Sequence, residues 1–162
     1  MKKIYSVLVE NRSGVLSKIS GLFARRCFNI DSLVVGETFD PEVSSMTIVS
    51  SGDDRTLEQI EKQLNKKLDV IKVKTFMETQ SVSRELMLIK VKYNKNNRKD
   101  IMEICEICKA EIVDMSKNHL MIQICDTPEK INVFRGMLSG VSVVEVARTG
   151  TLALPRCTEG EN

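Results

Sequence analysis

Tryptophan is absent from this 162-residue chain, aromatic residues make up 4% of it, and it has a single histidine, His119. So few rings leave no platform on which nucleic-acid bases could stack. Charge of one sign is also scarce. Lys and Arg total 24 against 22 Asp and Glu, a net charge of +2, which is no electrostatic footprint for a polyanion. Long apolar runs are missing, and none approaches the roughly 20 residues that span a bilayer. Met1-Lys2-Lys3 opens like a signal peptide, but the apolar run Ile4 to Val9 is too short, and Glu10, Asn11 and Arg12 interrupt it. The five cysteines, Cys27, Cys105, Cys108, Cys125 and Cys157, are odd in number and scattered. That pattern points to reduced thiols and a cytoplasmic protein. No GxxxxGK[ST], GxSxG or GxGxxG motif is present, so phosphate cradling and the common hydrolase layout find no support, and no catalytic residue is assigned. His119 beside Asn118 reads as a solvated hairpin-turn residue.

What is present is enough for a core: 42% apolar and 28% charged residues. The hydrophobic period repeats itself along the chain. Ile4 to Glu10 reads as a strand, and Val15, Leu16, Ile19, Leu22 and Phe23 fall at helical spacing, with Ser13 or a neighbour as the start signal. Ile30 to Gly36, opened by Asn29, is a second strand; Asp40-Pro41 marks a turn; Met46 to Ser50 is a third strand. Asp53 or Asp54 caps a helix whose stripe is Leu57, Ile60, Leu64 and Leu68, and Val70 to Phe76 follows as a strand. The polar stretch 79–83 predicts a linker. The order then restarts. Leu86 to Tyr93 is a strand, and Asn94 to Asn97 a polar turn. Ile101, Ile104, Cys105 and Cys108 form one helix face. Glu111 to Met115 and Leu120 to Cys125 are paired strands, Thr127-Pro128 opens a helix carrying Ile131, Phe134 and Leu138, and Val141 to Ala147 is the last strand. Both halves carry 12 basic and 11 acidic side chains. The reading is an α+β protein with two tandem ferredoxin-like βαββαβ domains, at 1–78 and 84–154, with a loose tail at 155–162. Open edge strands favour an oligomer.

Three constellations compete for a function. Cys105 and Cys108 form a CxxC, but they lie mid-helix on the apolar stripe, without a second ligand pair, so core packing is the better reading than metal or redox chemistry. Neither central strand carries the rings that an RNA-binding sheet needs. The third constellation is the first strand–helix junction, Glu10-Asn11-Arg12-Ser13-Gly14-Val15-Leu16. Gly14 stands where the helix begins, so unpaired N–H groups and close backbone approach suit a small carboxylate, and Asn11 adds a side-chain donor and acceptor. From residue chemistry alone the plainer alternative is the better reading: Asn11 and Gly14 merely make a turn, and Asn29 merely starts a strand.

Tyr5 to Leu16 resembles the opening of an ACT domain, a small amino-acid-binding module. The whole chain resembles the family of small, regulatory subunits of acetolactate synthase. The likeness is carried by Arg25-Arg26-Cys27-Phe28-Asn29-Ile30-Asp31-Ser32-Leu33, Met46-Thr47-Ile48 and Leu57 to Leu64 in the first half. In the second it is carried by Arg84 to Val91 and Val144-Glu145-Val146-Ala147-Arg148-Thr149-Gly150. The resemblance runs from about residue 2 to residue 150 and implies a non-catalytic subunit of branched-chain amino-acid biosynthesis. Such a subunit would activate a large catalytic subunit and confer feedback inhibition, typically by valine. Thiamine diphosphate, magnesium and FAD would belong to the large subunit, with no cofactor or metal in this chain. By the same resemblance, Asn11 and the backbone at Gly14, Val15 and Leu16 would meet the effector from one protomer. Asn29 and Ile30 would complete the site from the partner of a homodimer, and the second domain would help engage the catalytic subunit. A free-standing amino-acid sensor acting on another enzyme or on transcription is the same-fold alternative. A metal or redox protein using Cys105 and Cys108 is the alternative from another class.

Overall fold

The computed structural model describes residues 1–157. The chain divides into two units: Met1–Val82 with the segment from Thr151 onward, and Ser83–Gly150.

The first unit runs β1 (Lys2–Glu10), α1 (Val15–Arg25), β2 (Ser32–Glu37), β3 (Val43–Ser51), α2 (Asp54–Asn65) and β4 (Val70–Met77). Its antiparallel sheet has the order β2-β3-β1-β4, the ferredoxin-like arrangement. Alternation along β1 sends Tyr5, Val7 and Val9 into a core with Met46 and Ile48 of β3, and the stripes of α1 (Val15, Ile19, Leu22, Phe23) and α2 (Leu57, Ile60, Leu64) close over them. Asp53 is the N-cap of α2, and its side chain accepts from the Thr56 N–H at 2.8 Å. The Tyr5 hydroxyl crosses the core to donate to the Leu57 carbonyl at 2.8 Å; burial, followed by the Glu61 carboxylate, pushes its phenol upward.

The second unit repeats the plan with β5 (Ser81–Lys92, which begins at the end of the first unit), α3 (Arg98–Cys108), β6 (Glu111–Met115), β7 (His119–Asp126), α4 (Pro128–Met137) and β8 (Val143–Arg148). Its strand order is β6-β7-β5-β8. Met87, Ile89 and Val91 pack with Leu120, Ile122 and Ile124 beneath Ile101, Ile131, Phe134 and Leu138. Thr127 caps α4 from its side-chain oxygen, and Pro128 takes the first turn, where its missing N–H costs nothing. Cys105 is a core residue, and Cys108 is half-buried with its Sγ 3.6 Å from Met137 Sδ. Burial pushes both thiols up, away from the thiolate that redox or metal chemistry uses. Among the described residues, no three His, Cys, Asp or Glu side chains are grouped to hold a metal ion, and no helix is long and apolar enough to cross a membrane.

Five sequence expectations need correction. The stretch 79–83 is no free linker: Glu78–Gln80 form a 3-10 turn closed by Ser81 Oγ donating to the Glu78 carbonyl at 2.9 Å, and Ser81 is buried at the start of β5. The second domain ends at Gly150, not 154. From there the chain returns to the first unit, where β9 (Leu152–Pro155) sets Ala153 against Ile4, Val49 and Phe76, and the Thr151 N–H donates to Ser32 Oγ at 2.7 Å. The loose tail expected at 155–162 therefore starts too early, since Pro155 is in β9 and the Arg156 N–H donates to the Gln80 carbonyl at 2.9 Å; 158–162 lie outside the described residues. Leu68 is not on the buried stripe of α2. That helix ends at Asn65, so helical spacing stops before Leu68, which is 99% exposed in the α2–β4 turn. His119 is a half-buried first residue of β7 rather than a turn residue, its N–H bonded to Ser116 Oγ at 3.2 Å.

Candidate functional site

Gly14 is the N-cap of α1 and adopts φ +85°, a left-handed conformation in which L side chains are strained. No side chain caps the helix. The helix start expected from Ser13 is thus supplied by glycine geometry. The Val15 N–H donates to the Arg12 carbonyl at 3.3 Å, and the Lys18 N–H to the Gly14 carbonyl at 2.9 Å. Among the described residues, no acceptor faces the N–H groups of Gly14, Leu16 or Ser17. A Cβ built on Gly14 meets nothing within 4 Å, so the space beside Gly14 is open. An uncapped helix start with open space beside it can receive an anion.

Asn11 flanks this opening. Its N–H donates to the Glu42 carbonyl at 2.7 Å, and its Nδ2 to the Pro41 carbonyl at 2.8 Å and, more weakly, to Glu37 Oε1 at 3.4 Å. Both bonds use the donor end of the amide, which leaves Asn11 Oδ1 for a cation. Glu37 adds a carboxylate that sequence reasoning missed. It lies 26 positions away, and only the β2–β3 hairpin register brings it to Asn11. The Ser17 amide was legible, because every helix leaves its first N–H groups without partners.

The remaining expected residues divide sharply. Val15 is 3% exposed, and its side chain belongs to the core, so it lines nothing at the surface; Leu16, at 45%, does. Asn29 and Ile30 precede β2, which starts at Ser32 rather than at Ile30. Before the strand begins, the Asn29 carbonyl accepts from Ser50 Oγ at 2.6 Å, and the Asn29 side chain turns to Asp31. Ile30 is half-buried against the first core. Asn11 and Gly14 therefore stand at one end of α1, and Asn29 and Ile30 beyond the other. The helix has 11 residues, so at 1.5 Å each the gap is about 16 Å. One chain does not bring the two groups together.

Charge around the opening is organised. Asp69, in the α2–β4 turn, accepts from Lys18 Nζ at 2.9 Å, a bond that holds its carboxyl below the usual range. Arg12 pairs with Glu10. The neighbouring cations are thus engaged, and a carboxylate arriving at α1 would be met by backbone N–H groups.

A family model for the ACT domain of the AHAS small subunit matches residues 5–72, and a model for the small subunit of acetolactate synthase matches residues 84–157. The chain is 44% identical over 156 residues to a probable acetolactate synthase small subunit of Archaeoglobus fulgidus, covering 96% of this chain and 98% of that one. It is 42% identical over 157 residues to the acetolactate synthase isozyme 3 small subunit of Salmonella typhimurium, covering 96% of each. The crystal structure of the acetolactate synthase small subunit from Thermotoga maritima superposes with a TM-score of 0.90 at 39% identity, over 98% of this chain and 99% of that one. With both halves matched in order and nearly the full length of each relative covered, the chain belongs to the acetolactate synthase small-subunit family.

Proposed function

We propose that this chain is the non-catalytic regulatory subunit of an acetolactate synthase in branched-chain amino-acid biosynthesis. It associates with the large catalytic subunit in the cytoplasm, raises its activity and confers feedback inhibition by valine. Thiamine diphosphate, magnesium and FAD reside in the catalytic subunit. The observation that carries the effector reading is the uncapped start of α1 at Gly14, with open space beside Gly14 and, among the described residues, no acceptor for the Leu16 and Ser17 N–H groups.

Valine presents a carboxylate, an ammonium and a small branched side chain. The N–H groups of α1 take the carboxylate, Asn11 Oδ1 and Glu37 take the ammonium, and Leu16 contributes apolar wall. Asn29 and Ile30, remote within one chain, complete the site from the partner of a homodimer whose α1 helices run antiparallel across the seam. An effector at such a seam acts by binding one arrangement of the dimer more tightly than another, and the difference in affinity sets the size of the response.

The test is reconstitution of the full chain with its catalytic subunit, assayed for acetolactate formation with and without valine. The expected result is higher activity with the chain present and inhibition on adding valine. No change in activity would defeat the activating role, and activation without any valine response would defeat the effector assignment.

A further inference from the structure

The helix-free face of the first unit's sheet is covered over only part of its length. Tyr5, Val7 and Val9 point into the core, so Ile4, Ser6 and Leu8 of β1 point the other way. Ile4 stands opposite Val49 of β3 and Phe76 of β4. Ala153 of β9 packs on this apolar row and closes it off from water. The next two rows carry polar groups and stay open. Ser6 stands opposite Lys74 of β4, and Leu8 stands between Lys72 of β4 and Ser45 of β3.

These two rows floor a hollow of about 360 Å³, and Leu154 and Pro155, which continue β9 past Ala153, line it as well. That volume lies in the range of small-molecule sites. Its charge is of one sign, because no Asp or Glu lines it. Among the described residues, neither Lys72 nor Lys74 forms an ion pair, and the Ser6 and Ser45 hydroxyls make no hydrogen bond; Lys3 and Lys18 of the same unit, by contrast, are held by Glu61 and Asp69. Lys72 and Lys74 are two positions apart on one strand, which sets their Cα atoms about 7 Å apart, and ammoniums on flexible stems at that spacing can converge on one anionic group. Ser45 lies two strand spacings from Lys72, about 10 Å away. Between them Leu8 offers a half-buried apolar floor, and the exposed Leu154 an apolar flank.

We propose that this hollow is a small-molecule site for a short-chain organic dianion, a phosphate monoester or a dicarboxylate. Lys72 and Lys74 match its two negative charges, Ser6 and Ser45 donate to its remaining oxygens, and its carbon skeleton lies on Leu8 beside Leu154 and Pro155. The site is distinct from the opening at Gly14 and does not depend on the effector reading. Lysines on an edge strand such as β4 also deter pairing with other chains, but that task needs no serine hydroxyls beside them and no apolar flank.

The experiment titrates the full chain by calorimetry at low ionic strength and about pH 8, where a phosphate ester carries two charges. The probes are glycerol 3-phosphate and succinate, with propionate as the single-charge control, and amide spectra of the isotope-labelled chain locate the binding. The expected result is one site per chain for at least one dianion, at least tenfold tighter than propionate and weaker as salt is added, with shifts centred on the Ser6, Leu8 and Ser45 amides. The tighter of the two dianions identifies the source as phosphate ester or dicarboxylate. Lys72→Gln with Lys74→Gln should weaken binding at least tenfold, and Lys66→Gln with Lys67→Gln, in the α2–β4 turn, should leave it within threefold. Absence of binding at millimolar dianion overturns the proposal and leaves the lysines as edge protection. A loss as large in the Lys66 and Lys67 variant overturns it too, because a diffuse positive field would then be acting. So do shifts centred on Leu16 and Ser17, which would place the anion at the start of α1.

Discussion

At the first strand–helix junction of the second unit, Asn94 Oδ1 accepts from the N–H groups of Asn96 (2.8 Å) and Asn97 (3.1 Å), and Asn97 Oδ1 accepts from the Asn94 N–H at 2.8 Å. The matching loop of the first unit is closed without side chains: the Arg12 N–H donates to the Glu10 carbonyl at 3.0 Å, and Gly14 turns the chain into α1 at φ +85° with nothing within 4 Å of where its Cβ would stand. The two units share strand order, helix placement and core pattern, so the difference lies in four or five loop residues. Neither helix start is capped by a side chain, so what sets the first apart is a left-handed glycine with open space beside it, where asparagine side chains close the second loop on itself. The fold supplies the frame twice, and the loops distinguish the two copies.

Several substitutions break or sharpen this contrast. The largest effect is on the two cores. Phe23→Ala in α1 and Phe134→Ala in α4 each empty a buried site and should cost about 3–5 kcal/mol in their own unit, read as lost amide-exchange protection confined to that unit. Phe134→Ala should leave valine binding intact, whereas Phe23→Ala should weaken it by loosening α1. Next is Gly14→Asp. A carboxylate set where the effector's carboxylate docks should lower valine affinity at least a hundredfold by calorimetry, a loss of about 2.7 kcal/mol. Asn97→Asp at the matching position of the second unit should leave valine affinity unchanged. A valine-sensitive Gly14→Asp chain would show that the opening is not the site.

Tyr5→Phe comes third. It removes the hydroxyl that donates to the Leu57 carbonyl and should cost about 1 kcal/mol in chemical denaturation, with no equivalent tyrosine in the second core. The smallest effect is in acid. Hydrogen bonds from Thr56 hold Asp53 below the usual carboxylate range, those from Lys18 hold Asp69 there, and in the second unit the Thr127 N–H does so for Asp126. A depressed folded-state pKa contributes stability that is full above the unfolded value of about 3.9 and is lost as pH falls through the folded value. Thermal midpoints should therefore drop as pH falls below about 4. The first unit, with two such groups, should lose more than the second, and Asp53→Asn and Asp69→Asn should flatten its pH dependence.

The tandem fold was legible because its periods are local: alternation in β1 and β5 and the stripes of α1 to α4 each follow from which neighbours are apolar. The caps at Asp53 and Thr127 were legible for the same reason. Leu68 shows where that reasoning stops. It continues the α2 spacing perfectly, but the helix ends at Asn65, and a spacing rule carries no information about where hydrogen bonding ceases. The return of the chain at β9 to the first unit was equally hidden. Ala153 meets Ile4 across about 150 residues, and no short window contains both.

The candidate site divides in the same way. Asn11, Gly14 and Leu16 were singled out because a glycine and an asparagine before an apolar helix stripe have a local chemical meaning. That Val15 is spent on the core, that Glu37 stands beside Asn11, and that Asn29 and Ile30 lie at the far end of α1 were decided by strand register and helix direction. What the sequence alone determined is therefore the pair of ferredoxin-like units and the junction with unpaired donors, since hydrophobic period and backbone hydrogen-bonding needs are properties of adjacent residues. What only the tertiary structure decided is which side chains share that junction and which are left exposed around it, because those neighbours are set by pairings between residues tens of positions apart.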